Sequence, residues 1–161
     1  MKKIVLVTLA LSTAAFGQMS QSISTKATLP AIYQKWLNED VSYIVKPEER
    51  AAFIELKDDA GRDDYVRQFW LRRDPTPGTE QNEFKEEHYR RIAYTNVHFA
   101  SRLPGWKTDR GRVYIVQGGP DEIEAGKSST GALREIWRYR KSYDAAIFED
   151  HCRCGELQQV K

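Results

Sequence analysis

Apolar residues recur at helical spacing through the first half of the chain, starting near Pro30. The first stripe consists of Tyr33, Trp36, Leu37, Val41 and Ile44. Positions three and four residues apart lie on one face of a helix, so this pattern predicts an amphipathic helix. A second helix is predicted from Pro47, because proline suits a first helical turn and the acids Glu48 and Glu49 complement the helix dipole. Phe53 and Leu56 form its inward face.

Two further helices are predicted, over residues 63–72 and 80–102. The first follows Gly61 and buries Tyr65, Phe69 and Trp70. The segment between them, residues 74–79, contains two prolines and cannot be regular helix, because proline lacks an N–H donor and restricts the preceding residue. Pro104 and Gly105 end the second helix.

The second half of the chain predicts strands. Residues 112–117 are β-branched and aromatic and predict a first strand, which the sequence Gly118-Gly119-Pro120 closes as a hairpin turn. Residues 123–131 are interpreted as a polar loop, and residues 133–140 as a second strand. Residues 145–149 and 157–160 predict a final hairpin. Helices followed by strands indicate an α+β fold, with N-terminal helices packed on a small C-terminal antiparallel sheet.

The N-terminus has the features of a secretory signal peptide, predicted over residues 1–17. Two lysines precede an apolar run over residues 4–11, and small residues lead to a predicted cleavage after Gly17. The run is too short to cross a bilayer as a helix, so no transmembrane segment is expected after cleavage. A buried N-terminal strand or helix is the alternative. We therefore expect an exported protein, periplasmic or extracellular, with a flexible segment over residues 18–29 and a single domain over residues 30–161.

The charge balance argues against nucleic acid as a partner. The chain has 25 basic and 23 acidic residues, and the leader removes Lys2 and Lys3. The mature chain is then formally neutral, so it has no global field that attracts a nucleic acid or an anionic membrane.

The segment 105–109, Gly-Trp-Lys-Thr-Asp, resembles the motif that names the GWxTD domain family of exported bacterial proteins. Residues 69–79, 82–84, 89–92, 109–115 and 119–121 also resemble the running pattern of that family. The resemblance covers about residues 30–140, and the tail over residues 146–161 matches poorly. It implies an exported location and a shared fold. It implies no catalytic residue, ligand or cofactor.

Two loops carry the candidate binding residues, and each has a structural and a functional interpretation. The residues are Arg73, Asp74, Asn82, Glu83, Trp106, Thr108, Asp109, Arg110 and Arg112. The first loop has two interpretations. It is either a helix–loop–helix junction, capped by Asp74 or Thr79 and held by a pair of Arg72 or Arg73 with Asp74 or Glu83, or a rim of Arg donors and carboxylates around a peptide or glycan. The segment 105–112 is either a structural corner or a site facing the first loop.

Catalytic motifs are sparse in the sequence. A hydrolase using Asp74, Glu83, His88 and Asp109 is the alternative function. At Cys152 and Cys154 a disulfide or free thiols are favoured over a metal site, which normally needs a fourth ligand. The sequence therefore predicts no cofactor and a non-catalytic module that binds another envelope protein or a polymer. It leaves the oligomeric state open.

Overall fold

The computed structural model of the chain describes residues 29–140 and 145–160. The predicted signal peptide, residues 1–17, and residues 18–28 of the predicted flexible segment lie outside the described residues. The described part contains five helices, mostly N-terminal and central, and a four-stranded antiparallel sheet at its C-terminal end. The predicted α+β class is confirmed.

The helices precede the strands along the chain. They are α1 (Ala31–Lys35, continued by a π-helical turn, Trp36–Asp40), α2 (Pro47–Glu55), α3 (Asp59–Leu71), α4 (Glu83–His98), a 3₁₀ turn (Gly105–Lys107) and α5 (Asp109–Gln117). The strands are β1 (Glu122–Lys127), β2 (Leu133–Arg138), β3 (Ala146–Glu149) and β4 (Gln158–Val160), and they pair in that order. Each neighbouring pair is antiparallel.

The first helices enclose a core that we call the N-terminal aromatic cluster. It contains Tyr33, Trp36, Leu37, Val41, Phe53, Phe69 and Trp70. The ring of Trp36 lies 4.9 Å from that of Phe53 and 5.2 Å from that of Phe69, measured between centroids. These are the inward positions that the helical spacing predicts, so the stripes on α1, α2 and α3 are confirmed.

The second core lies between α5 and the sheet, and we call it the sheet core. It contains Val113, Trp137, Ala146, Phe148 and Leu157. Trp137 and Phe148 come from adjacent strands, and their ring centroids are 4.8 Å apart. Because β3 pairs with both β2 and β4, the predicted final hairpin is confirmed and the C-terminal tail completes the sheet.

Residues 112–117 are helical, so their prediction as a strand is wrong. They belong to α5, in which the buried positions Gly111, Val113 and Ile115 alternate with less buried ones. The alternation arises because α5 contacts α4 on one side and β3 and β4 on another. A helix buried on two sides thus has the period-two pattern of a strand.

The neighbouring predictions are also corrected. Gly118, with a φ of 89°, ends α5 rather than forming a hairpin turn. The segment interpreted as a polar loop contains β1, in which all six residues are exposed. A strand that is exposed on both faces has no alternating apolar pattern, so its sequence resembles a loop.

Helix boundaries differ by several residues from the prediction. Helix α3 begins at Asp59 instead of residue 63, because Asp58 caps it by accepting from the Gly61 N–H at 2.8 Å. Helix α4 runs over Glu83–His98 instead of 80–102.

Candidate functional site

Gly105 of the GWxTD segment allows the 3₁₀ turn to contact the backbone of α4. A Cβ at Gly105 would lie 1.8 Å from the carbonyl oxygen of Thr95 in α4. A Cβ at Gly111 would lie 1.9 Å from the carbonyl oxygen of Gly105. The 3₁₀ turn therefore packs directly on the backbone of α4, and the start of α5 packs directly on the turn. No other residue type fits at these two positions.

Hydrogen bonds of Trp106, in the middle of the 3₁₀ turn, and of Thr108, just after it, hold the turn in place. The backbone N–H of Trp106 donates to Asn96 Oδ1 at 3.1 Å, and its carbonyl accepts from the Tyr43 hydroxyl at 3.0 Å. Thr108 is the N-cap of α5: its hydroxyl oxygen accepts from the Gly111 N–H at 3.0 Å and its O–H donates to the Gly105 carbonyl at 2.8 Å. The threonine thus satisfies a helix N–H that has no partner within the helix.

Asp109 and Arg112 bind the last strand of the sheet. Asp109 Oδ2 accepts from the backbone N–H of Gln159 in β4 at 2.8 Å. Arg112 donates to the Gln159 side-chain oxygen. Because β3 pairs with the other side of β4, the aspartate covers the outer edge of the sheet.

Arg110 lies against the sheet core. Its guanidinium donates to Glu135 Oε1 at 3.2 Å and stands 5.0 Å from the ring centroid of Phe99. The other oxygen of Glu135 accepts from Trp137 Nε1 at 3.0 Å. This half-buried carboxylate therefore joins α5 to the central tryptophan of the sheet core.

Arg73 pairs with Glu49, not with Asp74 or Glu83, so the predicted ion pair within the first loop is wrong. The distance from Arg73 Nη2 to Glu49 Oε2 is 2.6 Å, and Arg72 lies 3.5 Å from the same carboxylate. Burial alone would raise the pKa of Glu49, but hydrogen bonds from Arg73 and from the Lys46 N–H, with the Arg73 charge, hold it below its ordinary value. Glu49 was missed because it lies 24 residues from Arg73 in the chain.

The other residues of the first loop form local contacts. Asp74 accepts from the Thr76 N–H at 3.0 Å, and the Thr76 hydroxyl donates to Glu83 at 2.8 Å. Asn82, not Thr79 or Asp74, caps α4 by accepting from the Lys85 N–H, and its amide donates to the Trp70 carbonyl, both at 2.8 Å. Asn82 thus joins the end of α3 to the start of α4.

The candidate residues of the first loop and those of the segment 105–112 lie near each other but do not converge on one site. The segment Tyr43-Ile44 lies between them: the Tyr43 hydroxyl donates to the Trp106 carbonyl, whereas Arg73 donates to the Ile44 carbonyl at 3.4 Å. Asp109 bonds to β4 and Arg73 bonds to α2, so their charged ends have separate partners. The geometry favours the structural interpretation of both loops.

His88 is a buried side chain of the helical half. Its Nε2 lies 2.6 Å from the Asp40 carbonyl, which can only accept, so this nitrogen carries the proton. Burial lowers the pKa of His88, with the hydrogen bond to Asp40 opposing the shift. The ring lies 5.6 Å from that of Trp70. The groups of the alternative hydrolase thus have different partners: Asp74 and Glu83 share Thr76, His88 contacts Asp40, and Asp109 contacts Gln159.

Cys152 and Cys154 form a disulfide within the turn between β3 and β4. The buried Asp150 closes the same turn by accepting from the Cys154 N–H at 3.0 Å and the Gly155 N–H at 2.8 Å. Ligand atoms of Asp150, Cys152 and Cys154 lie within 4.8 Å of one another. Bridged sulfurs are not thiolates, so this group offers metal ligands only after reduction.

Two surfaces were not predicted from the sequence. The first is the exposed strand β1, which was interpreted as a loop. The second is a cleft that contains Trp36, Asp40 and Asp63. The apolar stripe of α1 assigned Trp36 to the core, and Asp40 and Asp63 meet only because α1 packs beside α3. Helical spacing gives no indication of such a cleft.

None of the helices in residues 29–140 and 145–160 combines the length and the apolar character needed to cross a membrane. Neither the curated proteins nor the solved structures give a match to this chain. The GWxTD domain family matches residues 10–150, which extends beyond the predicted range of 30–140 at both ends and includes β3. With most of its length matched and its Gly-Trp-Lys-Thr-Asp segment forming the corner between α4, α5 and β4, the chain belongs to the GWxTD domain family.

Proposed function

We propose that this protein is an exported, non-catalytic interaction module that binds an extended segment of a partner protein along the outer edge of β1. The observation that carries the proposal is the exposure of all six residues of β1 at the end of the sheet. Within residues 29–140 and 145–160 no strand pairs with that edge. The opposite edge, β4, is covered by Asp109. Among the described residues, β1 is thus the end of the sheet that is open to β-strand addition.

The backbone pattern identifies the groups available to a partner. The Ser128 N–H donates to the Ala132 carbonyl at 2.9 Å, which continues the register of β1 and β2. In an antiparallel pair, alternate residues exchange hydrogen bonds, so Gly126 and Glu124 direct their backbone groups to β2. Ile123, Ala125 and Lys127 therefore direct theirs outward. A partner strand gains its main-chain hydrogen bonds at these three residues.

Side chains on β1 define the chemistry of the partner segment. Glu122 and Glu124 share one face of the strand, and Ile123 and Ala125 share the other. Ile123 is 53% exposed although it lies opposite Trp137 of the sheet core. Glu124 already pairs with Arg138 of β2 at 3.0 Å. A segment that alternates basic with apolar residues therefore complements both faces, with a basic side chain beside Glu122 and apolar side chains beside Ile123 and Ala125.

The arrangement of the titratable groups supports a module over a hydrolase. The Asp74, Glu83, His88 and Asp109 side chains of the alternative hydrolase are held by different partners, as described above. Acid–base catalysis needs its groups within hydrogen-bond reach of one reacting centre. The GWxTD segment, in this proposal, builds the scaffold that presents β1.

Export rests on the predicted signal peptide. The disulfide at Cys152 and Cys154 supports it, because such bridges persist in oxidising compartments outside the cytoplasm. The protein isolated from its native host is expected in the periplasm or the medium, starting at Gln18. Cell fractionation with mass spectrometry of the N-terminal peptide checks this expectation. An intact N-terminus in the cytoplasmic fraction would refute it.

The binding proposal is tested with Ala125→Pro, which removes an outward N–H from β1 without removing a hydrogen bond to β2. Ala125→Ser is the matched control, since it keeps the N–H at the same position. A photo-cross-linker at Gly126, where an added side chain meets nothing within 4 Å of its Cβ, leaves both glutamates in place. In each tagged protein it captures a partner in the native host, and peptide mapping locates the cross-link. We expect a discrete partner whose cross-linked segment is extended and basic, present with Ala125→Ser and lost with Ala125→Pro.

Other results of that experiment contradict the proposal. Equal capture by both variants, each with an unchanged melting temperature, would exclude the edge of β1 as the surface. A cross-link to β1 of a second copy, with concentration-dependent self-association lost in Ala125→Pro, would replace the partner protein with a homodimer.

A further inference from the structure

The turn between β3 and β4 presents the disulfide of Cys152 and Cys154 at the surface. Both cysteines are exposed, and so are His151 and Arg153 beside them. The chain contains two cysteines in all, so this bridge accounts for its entire thiol chemistry. The bridge is therefore accessible to a thiolate from another molecule.

The bridge contributes little to holding the turn together. It joins residues two apart in the chain, and the stabilisation from a disulfide grows with the length of the loop that it closes. Asp150, which is 3% exposed, holds the same turn, because its carboxylate accepts from the Cys154 and Gly155 N–H groups. We therefore expect the turn to keep its shape when the disulfide is reduced.

Asp150 distinguishes the two sulfurs. Its Oδ1 lies 3.2 Å from Cys152 Sγ, within reach of a thiol S–H. After reduction, a thiol at Cys152 donates to this oxygen, whereas a thiolate at the same place would face the negative charge of the carboxylate. Cys154 binds the carboxylate through its backbone N–H, so its sulfur needs no such contact. The reduced turn thus keeps Cys152 as a thiol and leaves Cys154 as the more reactive sulfur.

An apolar groove of about 380 Å³ adjoins the turn. Its lining includes the exposed side chains of Leu133 and Ala125, and the Asp150 N–H donates to the Leu133 carbonyl at 2.9 Å. A cysteine in a polypeptide brings neighbouring side chains that bury apolar surface here, whereas a small thiol such as glutathione has little to bury. The surroundings of the disulfide thus favour a thiol carried by an unfolded or extended chain.

We propose that the disulfide of Cys152 and Cys154 is an exchange site that oxidises a pair of cysteine thiols in another polypeptide. A thiolate of that polypeptide attacks Cys154 Sγ, the bond between the two sulfurs breaks, and Cys152 leaves with the electron pair and takes up a proton. The second thiolate attacks the polypeptide's sulfur in the mixed disulfide and releases Cys154.

The electrons and protons of this exchange balance. The polypeptide loses two electrons and two protons as its own disulfide forms, and this protein gains them as two thiols. The exchange is stoichiometric, so it adds a chemical step to the interaction module without making it an enzyme. It does not depend on the partner proposed at β1.

The first test mixes the purified, oxidised protein with an equal amount of a reduced synthetic peptide that carries two cysteines and no regular structure. Acid quenching, alkylation and mass spectrometry count the thiols of each chain over time. We expect the disulfide to pass to the peptide, with an equilibrium that favours the oxidised peptide by roughly tenfold. A variant with serine at both cysteine positions is the control and should leave the peptide reduced.

Two matched single variants test the assignment of the sulfurs. Cys152→Ser retains Cys154, and Cys154→Ser retains Cys152; each is reacted with the oxidised form of the same peptide. The mixed disulfide should form about tenfold faster with Cys152→Ser, because the carboxylate of Asp150 does not hold the remaining sulfur as a thiol. Equal rates, or a faster reaction of Cys154→Ser, would overturn the proposal, since Cys154 would then not be the exchanging sulfur.

Three further results would overturn the proposal. One is a protein that keeps its disulfide throughout the reaction with the reduced peptide. Another is loss of the native circular dichroism on reduction, because the bridge would then hold the fold. The third is faster reduction by glutathione than by the peptide at equal thiol concentration. The variant with both serines should still capture the partner at β1, so this proposal and that one fail independently.

Discussion

The N-terminal aromatic cluster and the sheet core differ in how completely each region buries its own elements. The cluster contains seven buried residues, five of them aromatic, drawn from three successive helices. The sheet core contains five buried residues, and it leaves β1 exposed at every position. The comparison teaches that the helical half holds itself together by contacts among neighbouring helices, whereas the sheet depends on α5 and on the corner at Gly105.

Helix α4 joins the two regions. Its first half supplies His88 and Tyr89 to the surroundings of Trp70, and its second half supplies the Thr95 backbone on which Gly105 rests. The residues of the GWxTD segment thus lie at the boundary between the N-terminal aromatic cluster and the sheet core. Changes at that boundary should affect both regions, and changes within one core should affect mainly that region.

Gly105→Ala is expected to have the largest effect. The added Cβ would meet the Thr95 carbonyl oxygen at 1.8 Å, so α4 and α5 must separate. The free energy of unfolding should fall by about 4 kcal/mol, measured by urea denaturation. Gly126→Ala is the control, since a Cβ there meets nothing within 4 Å. A Gly105→Ala protein as stable as the control would show that the junction is not rigid.

Phe53→Ala and Phe148→Ala compare the two cores directly, because both side chains are fully buried. Phe53 contacts the rings of Tyr33, Trp36 and Tyr65, whereas the ring contact of Phe148 is with Trp137. We expect losses of about 4 kcal/mol for Phe53→Ala and about 3 kcal/mol for Phe148→Ala.

Amide hydrogen exchange of the same two variants locates the losses. In Phe148→Ala, protection should fall in β2 and β3 and persist in α2 and α3. A uniform loss of protection in both halves would mean that the two regions unfold as one unit, and the comparison between them would then have no energetic meaning.

Glu49→Gln tests the electrostatic part of the helical half. The variant leaves Arg73 without its charged partner, which should cost about 2 kcal/mol near neutral pH. Because the pKa of Glu49 is lowered in the folded protein, its stabilisation is present above the unfolded value of about 4.3 and is lost as the pH falls through the folded value. Glu49→Gln should therefore flatten the decline in stability below about pH 4.3.

Thermal denaturation between neutral and acidic pH measures this difference. Glu48→Gln makes the same substitution at an exposed position in the same helix turn and is the matched control. An unchanged acid profile in Glu49→Gln would assign the pH dependence to other groups.

Asp109→Asn should have the smallest effect of the four. An amide oxygen still accepts from the Gln159 N–H, so the variant loses the charge on that hydrogen bond and the exposed ion pair with Arg112 at 3.8 Å, at a cost of about 1 kcal/mol. Asp109→Ala should cost more and should raise the exchange rate of the Gln159 amide selectively. If neither variant changes that rate, Asp109 does not hold β4 in solution.

The inward faces of the first three helices were predictable because helical periodicity depends only on residues three and four apart in the sequence. Helical spacing identified Tyr33, Trp36, Leu37, Val41, Phe53, Phe69 and Trp70 as inward positions, and all seven are buried. The family motif was recognisable for the same reason, as a continuous run of five residues. In α5 the local pattern was misleading, because burial on two sides gave the helix alternating Val113 and Ile115.

The candidate site was only partly predictable. Its residues Asn82, Trp106, Thr108 and Asp109 were named from the sequence, and the corner interpretation agrees with their contacts. The partner of Arg73, Glu49, and the partner of Asp109, Gln159, were not named, because they lie 24 and 50 residues away along the chain. The cleft at Trp36 was missed, since it forms only where α1, α3 and α4 pack together.

The sequence by itself determined the α+β class, the family and the apolar faces of the N-terminal helices, because these follow from spacing and from contiguous motifs. The tertiary structure alone decided that Gly105 must be glycine, that Asp109 closes one edge of the sheet and that no other strand of the described residues pairs with the outer edge of β1. Those features depend on distances between segments up to 50 residues apart. Such distances are set when the whole chain packs, and no local pattern encodes them.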